Sequence, residues 1–251
     1  MVLLRWLCLL LVRRLAGRVG ACYNYCMRRS SVIPIEKICL LLESTYGRPG
    51  FEPGCGVLDE LILTILSQST TAANYNRAFA SLKARFSDWD AVRSAETSSL
   101  EEAIRCGGLA HTKAIRIKRL LDDIFELHGE LSLNFPDEMT DEDARAYLMQ
   151  FEGVGIKTAS CVLMFALNRP VFPVDTHVHR IAQRLGLIDS SVKAEAAHAV
   201  LQGMIPDEMV YSMHVNLVAH GRRVCKAQRP VCDDCVLLEL CRWGVREAVS
   251  R

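Results

Sequence analysis

The sequence has no surplus of charge of either sign. Thirty Lys and Arg face 29 Asp and Glu, a formal net charge of +1. No overall field therefore draws the chain to a polyanion, and any such site must come from local clustering. Long apolar runs are missing as well. A membrane-spanning helix needs about 20 apolar residues, whereas the best candidate, residues 2–12, is shorter and is interrupted by Arg5. No membrane partner is expected. No low-complexity tract, long linker or repeat divides the chain. No stretch shows the sustained alternation of a half-buried strand, which excludes sheet architectures. Acidic residues are absent before Glu36, while Arg5, Arg13, Arg14, Arg18, Arg28 and Arg29 crowd the first thirty residues. That basic stretch reads as an organelle-targeting leader, a secretory leader, or extraneous residues upstream of a start at Met27, and it is left out of the fold.

What is present is apolar periodicity. Half of the residues are hydrophobic, enough for a sizeable core. They recur at helical spacing over 35–42, 58–66, 74–86, 98–104, 112–127, 140–151, 157–167, 177–185, 191–203 and 206–220, separated by short turns rich in Gly, Pro, Asn or Asp. The expectation is an all-α protein of about ten helices. Eleven cysteines are an odd number, and four of them fall within residues 225–241. This suits a metal centre in a reducing, cytosol-like compartment better than a disulfide framework, and it conflicts with export.

Three local patterns carry chemistry. In Phe151-Glu152-Gly153-Val154-Gly155-Ile156-Lys157, two glycines that can take φ > 0 join two helices. The bare N–H groups and positive dipole end of the second helix can hold one backbone phosphate. An ordinary helix corner with a glycine cap explains the same turn. Lys157, in the first turn of that helix, is set against the dipole, and both the dipole and burial would lower its pKa and make it a usable amine nucleophile. Downstream, residues 170–175 form an extended, proline-stiffened approach to a new helix with Asp175 at its start. Such an aspartate is an N-cap, and the same carboxylate can stabilise positive charge on a sugar during cleavage of a glycosidic bond. His177 and His179 beside it are read as structural. Third, Cys225-x6-Cys232-x2-Cys235-x5-Cys241 places four thiolates within 17 residues. A single C-x2-C flanked by longer spacings fits an iron–sulfur cube better than zinc. Arg222, Arg223, Lys226 and Arg229 around its first spacing would offer cations to phosphates.

Taken in this order, the three patterns resemble the helix–hairpin–helix DNA glycosylase superfamily, and within it the endonuclease III family, over residues from about 33 to 242. The resemblance implies two helical lobes with a cleft between them: 31–55 with 172–224 on the cluster side, and 56–171 as a helical barrel with the hairpin helices at 143–168. Residues 225–241 would be the loop of a [4Fe-4S] cluster held by Cys225, Cys232, Cys235 and Cys241. Lys157 falls on the family's Schiff-base lysine and Asp175 on its catalytic aspartate, while Gly153, Val154 and Gly155 form the hairpin that meets DNA. Residues 65–70 resemble the family's Leu-Ser-x-Gln segment with Gln68 one place early, so the residue that fills the gap left by a flipped nucleotide is Gln68 or Ser69. Residues 107–110 resemble the loop bearing the wedge leucine, here Leu109. Glu152 stands where the family often has proline, and Thr71 where it often has aspartate.

The implied activity is a base-excision-repair glycosylase with abasic-site lyase activity. Lys157 would attack C1′ and Asp175 would activate it, with strand cleavage by β-elimination. Oxidised pyrimidines are the expected substrates and double-stranded DNA carrying a damaged base or abasic site the expected partner. The protein is expected to act as a monomer, in the cytoplasm at the nucleoid if its source is bacterial. Three alternatives stay open: a mismatched, alkylated or methylated base as substrate, a catalytically silent damage-binding protein, or a zinc-stabilised binding module.

Overall fold

The computed structural model describes residues 34–244 apart from 53, 55 and 137. The readings made above for residues 1–30 lie outside that range. Among the described residues there is no strand. The α-helices are α1 (Ile35–Tyr46), α2 (Val57–Ser67), α3 (Ala72–Arg85), α4 (Trp89–Ser94), α5 (Thr97–Ile104), α6 (Ala110–His128), α7 (Asp141–Met149), α8 (Ile156–Leu167), α9 (Thr176–Leu185), α10 (Ala194–Gln202) and α11 (Val210–Arg223). The all-α expectation holds. None of the described helices is long and apolar enough to cross a membrane.

The helix missing from the sequence reading is α4. It is six residues long with Val92 alone buried, so it carries no periodic apolar signal, and it forms because the Asp88 side chain caps it by accepting the Ala91 N–H. The helix expected over 206–220 starts later, since residues 207–209 form a tight 3-10 turn before α11. Thr71 accepts the N–H of Asn74 and so caps α3. Threonine and aspartate share that capping capacity, which gives the departure from the family pattern at this position a local structural use.

Two sets of contacts organise the helices. In the first, α2 packs on α8 and α3, α5 on α6 and α3, and α7 on α8. Its core runs from Leu58 to Val171, with Leu61, Ile65, Ile104, Ile117, Leu148 and Val162 excluded from solvent. In the second, α11 packs on α1 and α9, and α9 on α10, around Ile38, Phe172, Ile181, Leu185, Met213 and Leu217. Among the described residues, the path thus starts in the second set, builds the first, and returns at Phe172. Crossing from one set to the other, it passes through the segment that ends at Asp175.

That return segment is extended, so its backbone groups need partners from elsewhere. Side chains supply them. Gln202 accepts the Phe172 N–H at 2.7 Å and donates to the Pro170 carbonyl at 2.7 Å, and His198 Nε2 accepts the Val174 N–H at 3.1 Å. His214 Nδ1 meets the Pro173 carbonyl at 3.0 Å. Three side chains from α10 and α11 therefore fix the chain just ahead of Asp175.

Candidate active site

A cleft of about 1010 Å³ is lined by the end of α2 and the loop after it, the first turns of α8, the start of α9, and one face of α11. Lys157 and Asp175, which begin two different helices, both line it, together with Gln68, Ser69 and Arg222. Lys157, Asp175 and Gln68 are only partly exposed, whereas Ser69 and Arg222 are exposed. Asp175 Oδ1 accepts the N–H groups of His177 at 2.9 Å and Val178 at 2.8 Å, which leaves Oδ2 for the cleft. A carboxylate pinned by two backbone donors cannot reorient freely. It is an N-cap and a cleft group at once.

Cys161 follows Lys157 one turn on in α8, with its thiol within the electrostatic reach of the lysine. Burial pushes that thiol up, and the ammonium of Lys157 pulls it back, the opposing carboxylates being Glu60 and Asp175. His214, which lines the same cleft, is influenced by both Asp175 and Lys157. Burial first pushes it down to about 4, with Asp175 raising and Lys157 lowering it. A neutral His214 donates Nδ1–H to Pro173, so its other nitrogen is an acceptor. His177 and His179 have local partners: His177 Nδ1 lies 3.1 Å from Arg180, and His179 Nε2 lies 2.8 Å from the Val192 carbonyl.

The hairpin departs from the expectation at one glycine. Gly153 takes φ +81°, but Gly155 is extended at φ −93° and caps α8 without a side chain. Nothing lies within 4 Å of the point where a Gly155 Cβ would be, so the backbone there stands open to a ligand. Val154 is 5% exposed and its N–H is used by the Phe151 carbonyl at 3.1 Å, so it anchors the turn to the core. Glu152 forms an ion pair with Arg119 of α6, which places a cation beside the carboxylate.

The loop candidates share an unusual backbone. Ser69 and Leu109 are non-glycine residues in the left-handed region, at φ 54° and 50°, a conformation that costs energy and recurs where a side chain must be held outward. Leu109 is 60% exposed and stands at the start of α6, outside the residues that line the cleft. Lys113 joins the two loops: at 2% exposure its ammonium donates to the carbonyls of Leu66 at 2.7 Å and Gly107 at 3.0 Å. The sequence reading missed Lys113, because a lysine in an amphipathic helix is normally solvated. Glu60 and Thr64 it also missed, although Glu60, Thr64 and Ser67 form a polar i, i+4, i+7 stripe on a helix α2 that is apolar elsewhere except at Asp59, a signal available beforehand. Tyr75 and Tyr211 line the cleft too, and spacing offers no hint of either.

The four C-terminal thiols are close enough to act on one another. Burial pushes Cys235 up to about 11, and Cys225, Cys241 and Cys232 each add to the rise. Arg184 approaches Cys225 Sγ at 3.2 Å, and the Gly244 N–H donates to Cys241 Sγ at 3.3 Å. Four mutually repelling sulfurs supplied with N–H donors fit a cationic polynuclear centre. Among the described residues no group of three or more His, Cys, Asp or Glu is placed to hold a metal ion. The loop's backbone is gripped from α9: Arg180 donates to the Cys225 carbonyl, and Arg184 to those of Lys226 and Ala227. Lys226 and Arg229 are exposed, Arg229 at φ 50°, and both lie outside the cleft lining.

Comparison with known proteins agrees with this fold. Residues 62–206 match the model of the HhH-GPD superfamily base excision DNA repair proteins. That is more than half of the chain, and the chain belongs to this superfamily. An Arabidopsis thaliana protein named as a DNA glycosylase is 44% identical over 191 residues, 72% of this chain and 65% of that protein, so the match spans somewhat under two thirds of the relative. Endonuclease III of Sulfolobus acidocaldarius is 33% identical over 74% of this chain and 82% of its own length. A trapped covalent intermediate of an endonuclease III with DNA superposes with a TM-score of 0.74 at 28% identity, covering 85% of this chain and 97% of that one. Within the superfamily, the chain is an endonuclease III-like DNA glycosylase.

Proposed function

We propose that the protein is a bifunctional glycosylase and abasic-site lyase acting on oxidised pyrimidines in duplex DNA. The observation that carries this reading is the meeting of Lys157 and Asp175 in one cleft. A monofunctional enzyme needs only a carboxylate and a water, and a lysine facing that carboxylate adds an amine nucleophile. Asp175 takes a proton from the Lys157 ammonium and passes it on to the departing base as the freed amine attacks C1′, so that the restored carboxylate opposes the positive charge on the sugar. The sugar ring opens to an imine on Lys157. Loss of a C2′ proton then expels the 3′ phosphate by β-elimination. The uncapped start of α8 and the open backbone at Gly155 bind a phosphate beside the lesion, and Gln68 or Ser69 with Leu109 occupy the gap in the stack. The trapped covalent intermediate formed by a structural neighbour supports the covalent route.

Cys225, Cys232, Cys235 and Cys241 would hold the [4Fe-4S] cluster, whose contribution when bound is to fix the loop that presents Lys226 and Arg229. The 31–55 with 172–224 and 56–171 division is proposed to flank the cleft, and one copy suffices for the chemistry.

The test is borohydride trapping on duplexes with thymine glycol, an abasic site or a G·T mismatch, beside Lys157→Ala. A covalent adduct on thymine glycol that vanishes in the variant is expected. Base release without trapping would leave Asp175 working with water, and a preference for the mismatch would move the substrate away from oxidised pyrimidines.

A further inference from the structure

Arg116 on α6 touches two segments that meet DNA in the reading above. Its NH1 donates to Gln68 Oε1 at 2.7 Å. Its Nε and Cδ lie against Gly153, where a Cβ would come within 2.4 and 2.5 Å of them. The hairpin can rest on this arginine only because residue 153 is a glycine, held at φ +81°. One turn earlier Lys113 ties the backbones of both loops, and one turn later Arg119 pairs with Glu152. A single face of α6 thus fastens the gap-filling loop, the Leu109 loop and the hairpin to one another.

A guanidinium only donates hydrogen bonds. The Gln68 atom facing Arg116 must therefore be its oxygen, because rotating the amide would set donor against donor. Gln68 lines the cleft, so the end turned away from Arg116 is its NH2 group.

We propose that Arg116 is a positioning residue that fixes the Gln68 amide with its donors toward DNA, and so makes the protein discriminate among the bases opposite a lesion. This rests on the reading of the chain as a glycosylase that fills the gap with Gln68. An outward donor is accepted by the keto oxygens of guanine O6 and thymine O4, and is opposed by the amino groups of adenine N6 and cytosine N4.

The experiment measures dissociation constants of the full-length protein for duplexes carrying a tetrahydrofuran abasic analogue opposite each of the four bases, which no lyase step can consume. Wild type is expected to bind opposite guanine and thymine about fivefold to tenfold tighter than opposite adenine and cytosine, the range of one hydrogen bond. Arg116→Met brings that ratio toward one, and Arg116→Lys, which still donates, restores part of it. Gln68→Glu keeps an acceptor for Arg116 but loses the outward donors, and reverses the preference. A uniform loss from weakened folding cancels in the ratio. An Arg116→Met ratio equal to wild type overturns the inference. So does equal weakening on all four duplexes with a salt slope reduced by about one, the mark of a phosphate contact. A wild type that binds the analogue no better than undamaged duplex overturns the glycosylase reading itself, whereas damage preference without opposite-base preference overturns the role of Arg116 alone.

Discussion

The hairpin turn at 151–157 and the cysteine loop at 225–241 are held in place by opposite means. The hairpin is anchored by packing: Phe151 and Val154 are 4% and 5% exposed and belong to the main core. In the cysteine loop only Leu237 and Cys241 are buried, and its backbone is held by Arg180 and Arg184 through hydrogen bonds to three carbonyls. A turn locked by apolar packing is as stable as the core beneath it. A loop held by polar ties needs a further bond, and the four thiols are where one would form. Asp175 stands at the joint, since the helix it caps carries both gripping arginines.

The sharpest way to test the joint is Asp175→Asn. Asparagine caps a helix about as well as aspartate, so the melting temperature should stay nearly constant, while base release should fall by about a hundredfold to a thousandfold for loss of the charge. Equal losses in stability and rate would mean that the carboxylate serves only as a cap. Next in size, Cys235→Ser should remove iron and sulfide, measured by colour and elemental analysis, and weaken abasic-duplex binding by about tenfold or more through lost phosphate contacts. Far-ultraviolet circular dichroism should barely change, because the helices around the hairpin do not depend on the loop. A collapse of the whole fold would erase the contrast between the two regions.

The third test uses pH. His214 is held down to about 4 by burial, below its ordinary value of about 6.5 in an unfolded chain. Between these values the unfolded state binds the proton and the folded state does not. The contribution of His214 is therefore complete above pH 6.5 and is lost as pH falls toward 4, by an amount on the order of 3 kcal/mol. Denaturant melts across this window should show a shallower slope for His214→Gln than for wild type, and identical slopes would remove the histidine from the account. The smallest effect is expected at Glu152→Gln. Removing a carboxylate beside the hairpin frees Arg119 from its ion pair, and duplex binding should tighten by about twofold to threefold at low salt and hardly at all at high salt.

Much of this architecture was legible beforehand, for identifiable reasons. Ten of the helices announced themselves because each buries one face, and a buried face repeats with the helical period. The short α4, with one buried residue, could not. Lys157, Asp175 and the four cysteines stood out because their chemistry is unusual for their local position. Lys113 and Arg116 did not, because a cation within an amphipathic helix looks solvated until the loops it fastens are in place. Gly155 was read with the wrong backbone freedom, since spacing does not say which glycine of a pair turns the chain.

The sequence by itself determined the helical class, the caps that begin α3, α4, α7 and α9, and the thiol spacing, because all of these depend on residues within a few positions of one another. Only the tertiary structure decided that Lys157 and Asp175 meet in one cleft, that Arg119 offsets Glu152, and that Arg116 binds both the Gln68 amide and the hairpin. Each of those contacts joins residues on different elements, and what brings them together is the burial of apolar faces elsewhere in the chain.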